Sequence, residues 1–216
     1  ITEKPIPKTP KQYNALTEQE AIQELADLVK KPVESICKIE NGYVVKLNLN
    51  ECGLTEFPEQ IQYLPNLEEL FLEGNQLTSI PKELGNLSKL KWLYLYNNQL
   101  TSIPKELGNL PKLKYLYLNS NQLTSIPKEL GNLSLLYYLN LSYNKLTSLP
   151  KELGNLSKLE CLHLHSNQLT SIPKELGNLI NIIELSAYNN KITSIPKEIK
   201  RLKKLNGPKG NVRINW

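Results

Sequence analysis

Methionine is absent from the 216 residues, phenylalanine occurs only twice and cysteine only three times. Leucine fills most apolar positions instead, which favours a core built by repetition over one packed irregularly. The cysteines, at Cys37, Cys52 and Cys161, are too few and too scattered for a disulfide framework. No apolar run is long enough to cross a bilayer, so membrane insertion is not expected.

Motifs for common cofactor chemistry are also missing. None of the ten glycines belongs to a phosphate-binding loop or to a G-x-G-x-x-G motif. Six lysines stand beside a glutamate in Pro-Lys-Glu triplets, and the net charge of +5 is concentrated at the chain ends. A nucleic-acid binder would instead gather its basic residues on one face. We therefore expect no cofactor, no nucleic-acid partner and no enzymatic activity.

The compartment and the oligomeric state are less directly encoded. Sparse cysteines suit a reducing compartment, so we expect a cytoplasmic monomer. A secreted protein whose signal peptide has been removed is the alternative, because the chain begins with Ile1 and not with methionine.

A 23-residue repeat organises most of the chain. The segment TSIPKELGNL occurs at 78–87, 101–110, 124–133 and 170–179, and TSLPKELGNL at 147–156. Alignment on this segment gives seven copies of an eleven-residue pattern, L-x-x-L-x-L-x-x-N-x-L. The copies occupy residues 44–54, 67–77, 90–100, 113–123, 136–146, 159–169 and 182–192.

Seven in-register copies of this pattern resemble the leucine-rich-repeat family over about residues 42–199. The arm I-P-K-E-L-G-N-L is similar to the Ras-group type of repeat, found in intracellular scaffolds and many microbial proteins. The resemblance implies an α/β solenoid, a horseshoe with a concave parallel β-sheet and short helical or 3-10 turns on its convex side. It also implies that Asn75 and its equivalents are buried and hydrogen-bond the backbone of neighbouring turns. Cys52 takes that position in the first copy, and we predict a structural role for it.

The residues of one repeat predict the same architecture on physical grounds. Leu70 and Leu72 alternate with outward-facing residues at period two, as in a half-buried strand. Pro81 permits one short helical turn, and Gly85 is expected to let the chain reverse. Because no repeat can bury its own apolar face, neighbouring repeats must stack.

Residues 14–43 are predicted to cap the N-terminal end of the stack. Thr17 and Glu20 form a capping box at the start of a helix that Pro32 ends. The apolar stripe of this helix is predicted to comprise Ile22, Leu25, Leu28 and Val29. Asn41-Gly42 is typical of a hairpin turn, so residues 35–40 should pair antiparallel with the first repeat strand.

The remaining boundaries follow from where the pattern holds and where it fails. Residues 44–196 are predicted to form the repeats, and 197–216 a C-terminal cap that begins with a basic helix at 197–205. Pro208 and Gly210 interrupt the pattern, so we expect the array to end there. The residues predicted to fold over the last core layer are Val212, Ile214 and Trp216. Residues 1–13, rich in proline and lysine, are predicted to be a linker or tail.

Variation among the copies is concentrated at three outward positions, the third, fifth and seventh of the eleven-residue pattern. Aromatic residues crowd these positions in the middle copies. We call this set the aromatic face: Phe71, Trp92, Tyr94, Tyr96, Tyr115, Tyr117 and Tyr138. Large exposed aromatic patches mark interaction sites, and Trp and Tyr dominate binding hot spots. We therefore predict a protein partner on this face, with His163 and His165 extending it; the alternative is that aromatics merely suit strands.

A metal site is a weaker hypothesis. Cys161, His163 and His165 alternate on one strand, and Glu184 should lie beside Cys161 on the next, which gives four possible zinc ligands. A Cys-His catalytic pair is less favoured, because no oxyanion donors or enclosed pocket accompany it.

Other functions remain open at the level of sequence. A glycan-binding or adhesion module would also use a concave aromatic face. The chain could equally be the targeting arm of a larger signalling enzyme. An idealised engineered scaffold is a further alternative, against which the degenerate last copy argues.

Overall fold

The computed structural model describes residues 16–202, 206–207, 210–211 and 213–215. Over these residues the chain forms a solenoid with a nine-stranded sheet on one side and short 3-10 turns on the other. The predicted tail at 1–13 lies outside the described residues, as do Val212, Trp216 and the side chain of Ile214. In the described part of the chain, no helix combines the length and the apolar content that a membrane span requires.

The elements follow one another in a regular order. The strands are β1 Cys37–Glu40, β2 Tyr43–Asn48, β3 Glu69–Phe71, β4 Trp92–Tyr94, β5 Tyr115–Tyr117, β6 Tyr138–Asn140, β7 Cys161–His163, β8 Glu184–Ser186, β9 Asn206–Gly207, β10 Gly210–Asn211 and β11 Arg213–Asn215. The α-helices are α1 Glu18–Val29, α2 Val33–Ile36 and α3 Lys197–Leu202. The 3-10 turns are Glu59–Tyr63, Lys82–Asn86, Lys105–Asn109, Lys128–Asn132, Lys151–Asn155 and Lys174–Asn178.

Strands β2 to β8 are parallel and in register, each shifted by one repeat from the last. Leu70 of β3 lies opposite Leu93 of β4, which lies opposite Leu116 of β5. These leucines are completely buried, as is Leu72. Burying a leucine side chain contributes about 1.5–3 kcal/mol, so the repeated leucine positions supply most of the driving force for stacking. The predicted horseshoe of parallel strands and 3-10 turns is confirmed.

The predicted asparagine ladder is also present. Asn98 donates from Nδ2 to the carbonyl oxygen of Leu72 in the preceding repeat at 2.8 Å and to that of Leu95 in its own at 3.2 Å. Its Oδ1 accepts from the backbone N–H of Leu77 at 3.0 Å. Asn75, Asn98, Asn121, Asn144 and Asn167 are buried, and Asn190 is half-buried. Each side chain thus satisfies backbone groups at a bend that water does not reach.

The glycine of the 3-10 turn has a role different from the predicted one. Gly108 does not adopt a left-handed backbone; a Cβ atom there would instead lie 2.2 Å from the backbone oxygen of Glu129 in the next repeat. Gly85 meets Glu106 in the same way, at 2.3 Å. Glycine is therefore required for close approach between repeats and not for reversal of the chain. The first repeat has Gln62 at this position.

The N-terminal cap begins as predicted and differs in detail. The Thr17 hydroxyl accepts a hydrogen bond from the backbone N–H of Glu20 at 3.2 Å. The Glu20 carboxylate accepts one from the backbone N–H of Thr17 at 2.8 Å. Leu28 was wrongly assigned to the apolar stripe, since it is 53% exposed, and Ala21 and Ala26 are buried instead. Helix α1 ends because Lys30 adopts a left-handed conformation, with φ of 54°, two residues before Pro32.

The predicted hairpin closes the N-terminal edge of the sheet. Asn41 and Gly42 both have positive φ, as a tight hairpin turn requires, and β1 pairs antiparallel with β2. Strand β1 begins at Cys37 and not at residue 35, because α2 occupies Val33–Ile36.

The nine-stranded sheet has one strand at its C-terminal edge that was not predicted from the sequence. Strand β11 pairs in parallel with β8, with Arg213 opposite Glu184. The separation of 29 residues (213 minus 184) exceeds the repeat by six. Those six match the span 206–211, in which β9 and β10 pair with each other. An insertion carrying Pro208 and Gly210 therefore displaced the strand pattern along the sequence without ending the sheet.

Candidate protein-binding face

The outward positions form straight rows across the sheet. The parallel register places Trp92 beside Tyr115 and Tyr115 beside Tyr138 in the third-position row. It also places Tyr94 beside Tyr117 in the fifth-position row. The predicted neighbours are thus neighbours in the structure, and the aromatic face is one contiguous surface.

The fifth-position row is a column of stacked rings. Phe71 and Tyr94 have ring centroids 4.5 Å apart and planes 8° apart, and Tyr94 and Tyr117 are 4.5 Å and 10° apart. Tyr138, which belongs to the third-position row, continues the column from Tyr117 at 4.7 Å with a 31° tilt. The amine of Lys46 lies 4.6 Å from the Phe71 centroid and covers the open end. Since the ring spacing is close to the ~4.8 Å spacing of strands, the sheet itself sets this stack.

The third-position row is looser and borders a groove. The rings of Trp92 and Tyr115 are nearly parallel, with planes 5° apart and centroids separated by 6.0 Å. A cavity of about 380 Å³ opens beside them. The residues lining it are Trp92, Lys114, Tyr115, Tyr137, Tyr138, Glu160 and Cys161. Tyr137 and Glu160, at the second position of the pattern, were not predicted as site residues; extending the row comparison to that position would have found them.

The two histidines lie in a polar and aromatic cluster at the C-terminal flank. The Ser186 hydroxyl lies 3.0 Å from Nδ1 of His163 and 3.1 Å from Nδ1 of His165. His165 also stacks on Tyr188, with centroids 4.6 Å apart and planes 6° apart. Tyr143 meets His165 edge-on at 5.3 Å. We call these five residues the histidine cluster; the sequence analysis predicted only its two histidines.

Tyr143 occupies an unfavourable backbone conformation. Its φ is 53°, and its side chain is 56% exposed. The same left-handed position is taken by Gly74, Asn97 and Ser120 in other repeats, which tolerate it better. Tyr143 could not be identified from its residue type, because the stacking of the repeats imposes this backbone conformation.

Burial tunes the ionisable groups of the face towards their neutral forms. Burial, assisted by a hydrogen bond to Glu73 and by its charge, raises the pKa of Tyr96 to about 12. Burial also raises the pKa values of Tyr94, Tyr117 and Tyr138. These phenols therefore remain protonated at neutral pH and can both donate and accept hydrogen bonds.

The imidazoles of the cluster are likewise held neutral. Burial lowers the pKa values of His163 and His165, while the Glu184 carboxylate opposes the shift at both. Oε1 of Glu184 lies 3.9 Å from Nδ1 of His163. A serine hydroxyl between two neutral imidazoles can donate to one and accept from the other, so all three groups are satisfied.

The metal hypothesis gains no support from this geometry. Both Nδ1 atoms are directed at the Ser186 hydroxyl, and serine is not one of the usual zinc ligands. Within the described ranges, no three His, Cys, Asp or Glu side chains are placed to hold a metal ion.

Charges at the N-terminal flank are largely paired. Lys46 lies 3.1 Å from the Glu69 carboxylate, and Lys91 lies 2.6 Å from that of Glu68. Such partly exposed pairs contribute ~0–1 kcal/mol, so their main effect is to neutralise the flank.

Comparison with known families identifies the repeats. A leucine-rich-repeat region model matches residues 100–209, and a second leucine-rich-repeat model matches residues 43–100 and 65–123. The chain belongs to the leucine-rich-repeat family. No curated protein sequence matches this leucine-rich-repeat chain significantly.

Several solved structures share the leucine-rich-repeat fold. A leucine-rich-repeat protein of Leptospira interrogans is 47% identical, with a TM-score of 0.68 over 76% of this chain and 40% of that one. The ectodomain of the Arabidopsis thaliana receptor kinase GASSHO1/SCHENGEN3, in complex with CASPARIAN STRIP INTEGRITY FACTOR 2, is 31% identical. Its TM-score is 0.66 over 79% of this chain and 27% of that one.

A third match is a plant peptide hormone receptor, RGFR1, in complex with RGF2. It is 34% identical, with a TM-score of 0.63 over 70% of this chain and 25% of that one. The chain spans less than half the length of each of these three structures. Two of these three structures are receptor complexes, one with CASPARIAN STRIP INTEGRITY FACTOR 2 and one with RGF2.

Proposed function

We propose that this leucine-rich-repeat chain binds a protein or peptide partner through the aromatic face, without catalysing a reaction. The observation that supports this most directly is the column of stacked rings in the fifth-position row. Its geometry decides which parts of the rings a ligand can reach, and so which class of ligand fits.

Both faces of the Tyr94 ring are covered by neighbouring rings. Phe71 lies on one side at 4.5 Å and Tyr117 on the other at the same distance. The amine of Lys46 occupies the far side of Phe71. What the column offers to a ligand is therefore ring edges and phenolic hydroxyls, with few open ring faces.

This arrangement favours a polypeptide over a sugar. Glycans bound by aromatic residues stack on open ring faces, and in the fifth-position row these faces are already occupied. Backbone amides and carbonyls of a peptide suit phenols that remain protonated, because such phenols donate and accept hydrogen bonds. The rings are held by one another and by the sheet, so little side-chain entropy is lost on binding.

The test is a pull-down from an extract of the source cells with three baits. They are the wild type, the variant Trp92→Ala/Tyr94→Ala/Tyr117→Ala, and a control, Tyr43→Ala, which removes an exposed tyrosine at the N-terminal cap. Circular dichroism first establishes that all three are folded. We expect a specific protein to be retained by the wild type and the control and lost by the triple variant.

Equal retention by all baits would contradict the proposed face. A glycan array probed with the same three proteins tests the adhesion alternative. A sugar signal that depends on Trp92, Tyr94 and Tyr117, without a protein partner, would replace the proposed function.

A further inference from the structure

On the convex side of the solenoid, a cavity lies between the first two repeats. It has a volume of about 310 Å³ and lies between the turns Glu59–Tyr63 and Lys82–Asn86. We call it the convex cavity. It lies on the opposite side of the solenoid from the aromatic face.

Gln62 explains why the gap opens here. In the next four repeats the equivalent residue is glycine, and the following repeat's backbone passes so close that a Cβ atom would lie 2.2–2.3 Å from its oxygen. Gln62 has a Cβ, so Glu83 cannot approach it as Glu106 approaches Gly85. The first two turns accordingly pack less closely than the later ones.

The floor of the convex cavity is apolar. Phe57 and Pro81 are half-buried and present its accessible apolar surface, and Ile61, Leu84 and Leu87, each at most 2% exposed, lie beneath. Phe57, which replaces the isoleucine found at this position in later repeats such as Ile80, adds an aromatic wall. A side chain entering from solvent would therefore meet hydrocarbon, which favours an apolar group.

The rim of the convex cavity is acidic. Glu59 and Glu83 line it, and among the described residues neither carboxylate forms an ion pair. Glu59 also breaks a row of lysines, because later repeats carry lysine at the equivalent position. These lysines are Lys82, Lys105, Lys128, Lys151 and Lys174. The lysine and glutamate of each later turn balance, whereas the first turn, with Glu59 and Gln60, carries a net negative charge.

We infer that the convex cavity is a second docking site, which accepts an apolar side chain flanked by basic residues in a peptide segment of a partner protein. The apolar floor binds the side chain, and the Glu59 and Glu83 carboxylates attract the flanking cations. The site is independent of the aromatic face, so one partner could occupy each side of the solenoid.

The experiment uses two short synthetic peptides as probes. They are Ac-Lys-Leu-Lys-Phe-Lys-NH₂ and its charge-reversed counterpart Ac-Glu-Leu-Glu-Phe-Glu-NH₂, titrated into chain labelled at isoleucine and leucine methyl groups. We expect saturable NMR shifts of the Ile61, Leu84 and Leu87 methyl signals with the basic peptide only.

Three variants locate the site. Gln62→Gly lets the second repeat close over the first and should raise the dissociation constant at least tenfold while the protein remains folded. Glu59→Lys/Glu83→Lys should reverse the preference between the two peptides. The triple variant Trp92→Ala/Tyr94→Ala/Tyr117→Ala should bind the basic peptide like the wild type, so failure here is distinguishable from failure of the proposed function.

Three results would overturn the inference. One is no saturable shift at the convex cavity, including the case in which the peptide shifts only signals of the concave side. A second is equal binding of both peptides by the wild type. The third is unchanged affinity in the folded Gln62→Gly variant.

Discussion

Asn121 joins two repeats through one buried amide. Its Nδ2 donates to the carbonyl oxygens of Leu95, at 2.9 Å, and Leu118, at 3.1 Å, and its Oδ1 accepts from the N–H of Leu100 at 3.0 Å. Loss of the side chain leaves the buried N–H of Leu100 without a partner, whereas the carbonyl oxygens of Leu95 and Leu118 each keep one bond, from Asn98 and Asn144. Unsatisfied buried groups cost more than the mean value of a hydrogen bond, because their desolvation is not offset.

We therefore expect Asn121→Ala to lower the free energy of unfolding by about 1–3 kcal/mol. Asn190→Ala is the matched control, since Asn190 makes equivalent bonds at the half-buried end of the ladder, where water can replace them. Urea unfolding of both variants measures the difference. Losses of equal size would show that burial of the amide is not what makes the ladder stabilising.

The two histidines link stability to pH. Because burial lowers the pKa values of His163 and His165, the unfolded chain binds more protons than the folded one below pH ~6.5, the ordinary histidine value. Their contribution to stability is present above that pH and is lost as the pH falls.

We expect the wild type to lose stability between pH 7.5 and 5.5, and His163→Gln/His165→Gln to lose less over the same interval. Urea unfolding at both pH values measures the free energy of unfolding of each protein. The quantity compared is the change between the two pH values and not the absolute stability of the variant. The two imidazole signals in NMR should titrate with midpoints below 6.5. A variant as pH-sensitive as the wild type would assign the effect to other groups.

The 3-10 turns are the elements that set how closely repeats approach. At Gly108 the next repeat's backbone leaves no room for a methyl group, whereas the first turn, with Gln62, already accommodates a side chain. A side chain is therefore accommodated at this position in the first repeat and excluded at the equivalent Gly108, because the neighbouring backbone approaches more closely there.

Gly108→Ala should accordingly lower the free energy of unfolding by about 1–3 kcal/mol, as overpacked sites do. Gln62→Ala is the control and should change it by less than about 0.5 kcal/mol, because Gln62 is exposed. Thermal unfolding of both variants tests this. A tolerated Gly108→Ala would mean that the repeats can separate locally at little cost.

Over the whole molecule, the 23-residue period determined most of what sequence could predict. Once strands are parallel and shifted by one repeat, residues such as Trp92 and Tyr115 must be neighbours, so the aromatic face followed from the alignment alone. Leu28 and the role of Gly85 were predicted wrongly and strand β11 was missed, because each lies where a cap, a neighbouring repeat or an insertion departs from what the period specifies.

Side-chain geometry was the other part that the sequence could not supply. That Ser186 lies between two imidazoles depends on side-chain rotamers, and the period specifies only rows. The position of Tyr188 in its row was visible in the sequence, but its stacking on His165 was not. A repeat pattern therefore predicts which residues are neighbours on a surface, whereas the contacts between their side chains are known only from the structure.

The parallel, stacked rings of Trp92 and Tyr115 have an optical consequence. Tyrosine excited in the stacked rows can pass its energy to the indole, because the rings lie within a few ångströms of one another. Light absorbed by tyrosines of several repeats then contributes to the fluorescence of Trp92. A molecule that settles on these rings changes the polarity around the indole, so the protein carries an intrinsic fluorophore at the surface where binding is proposed.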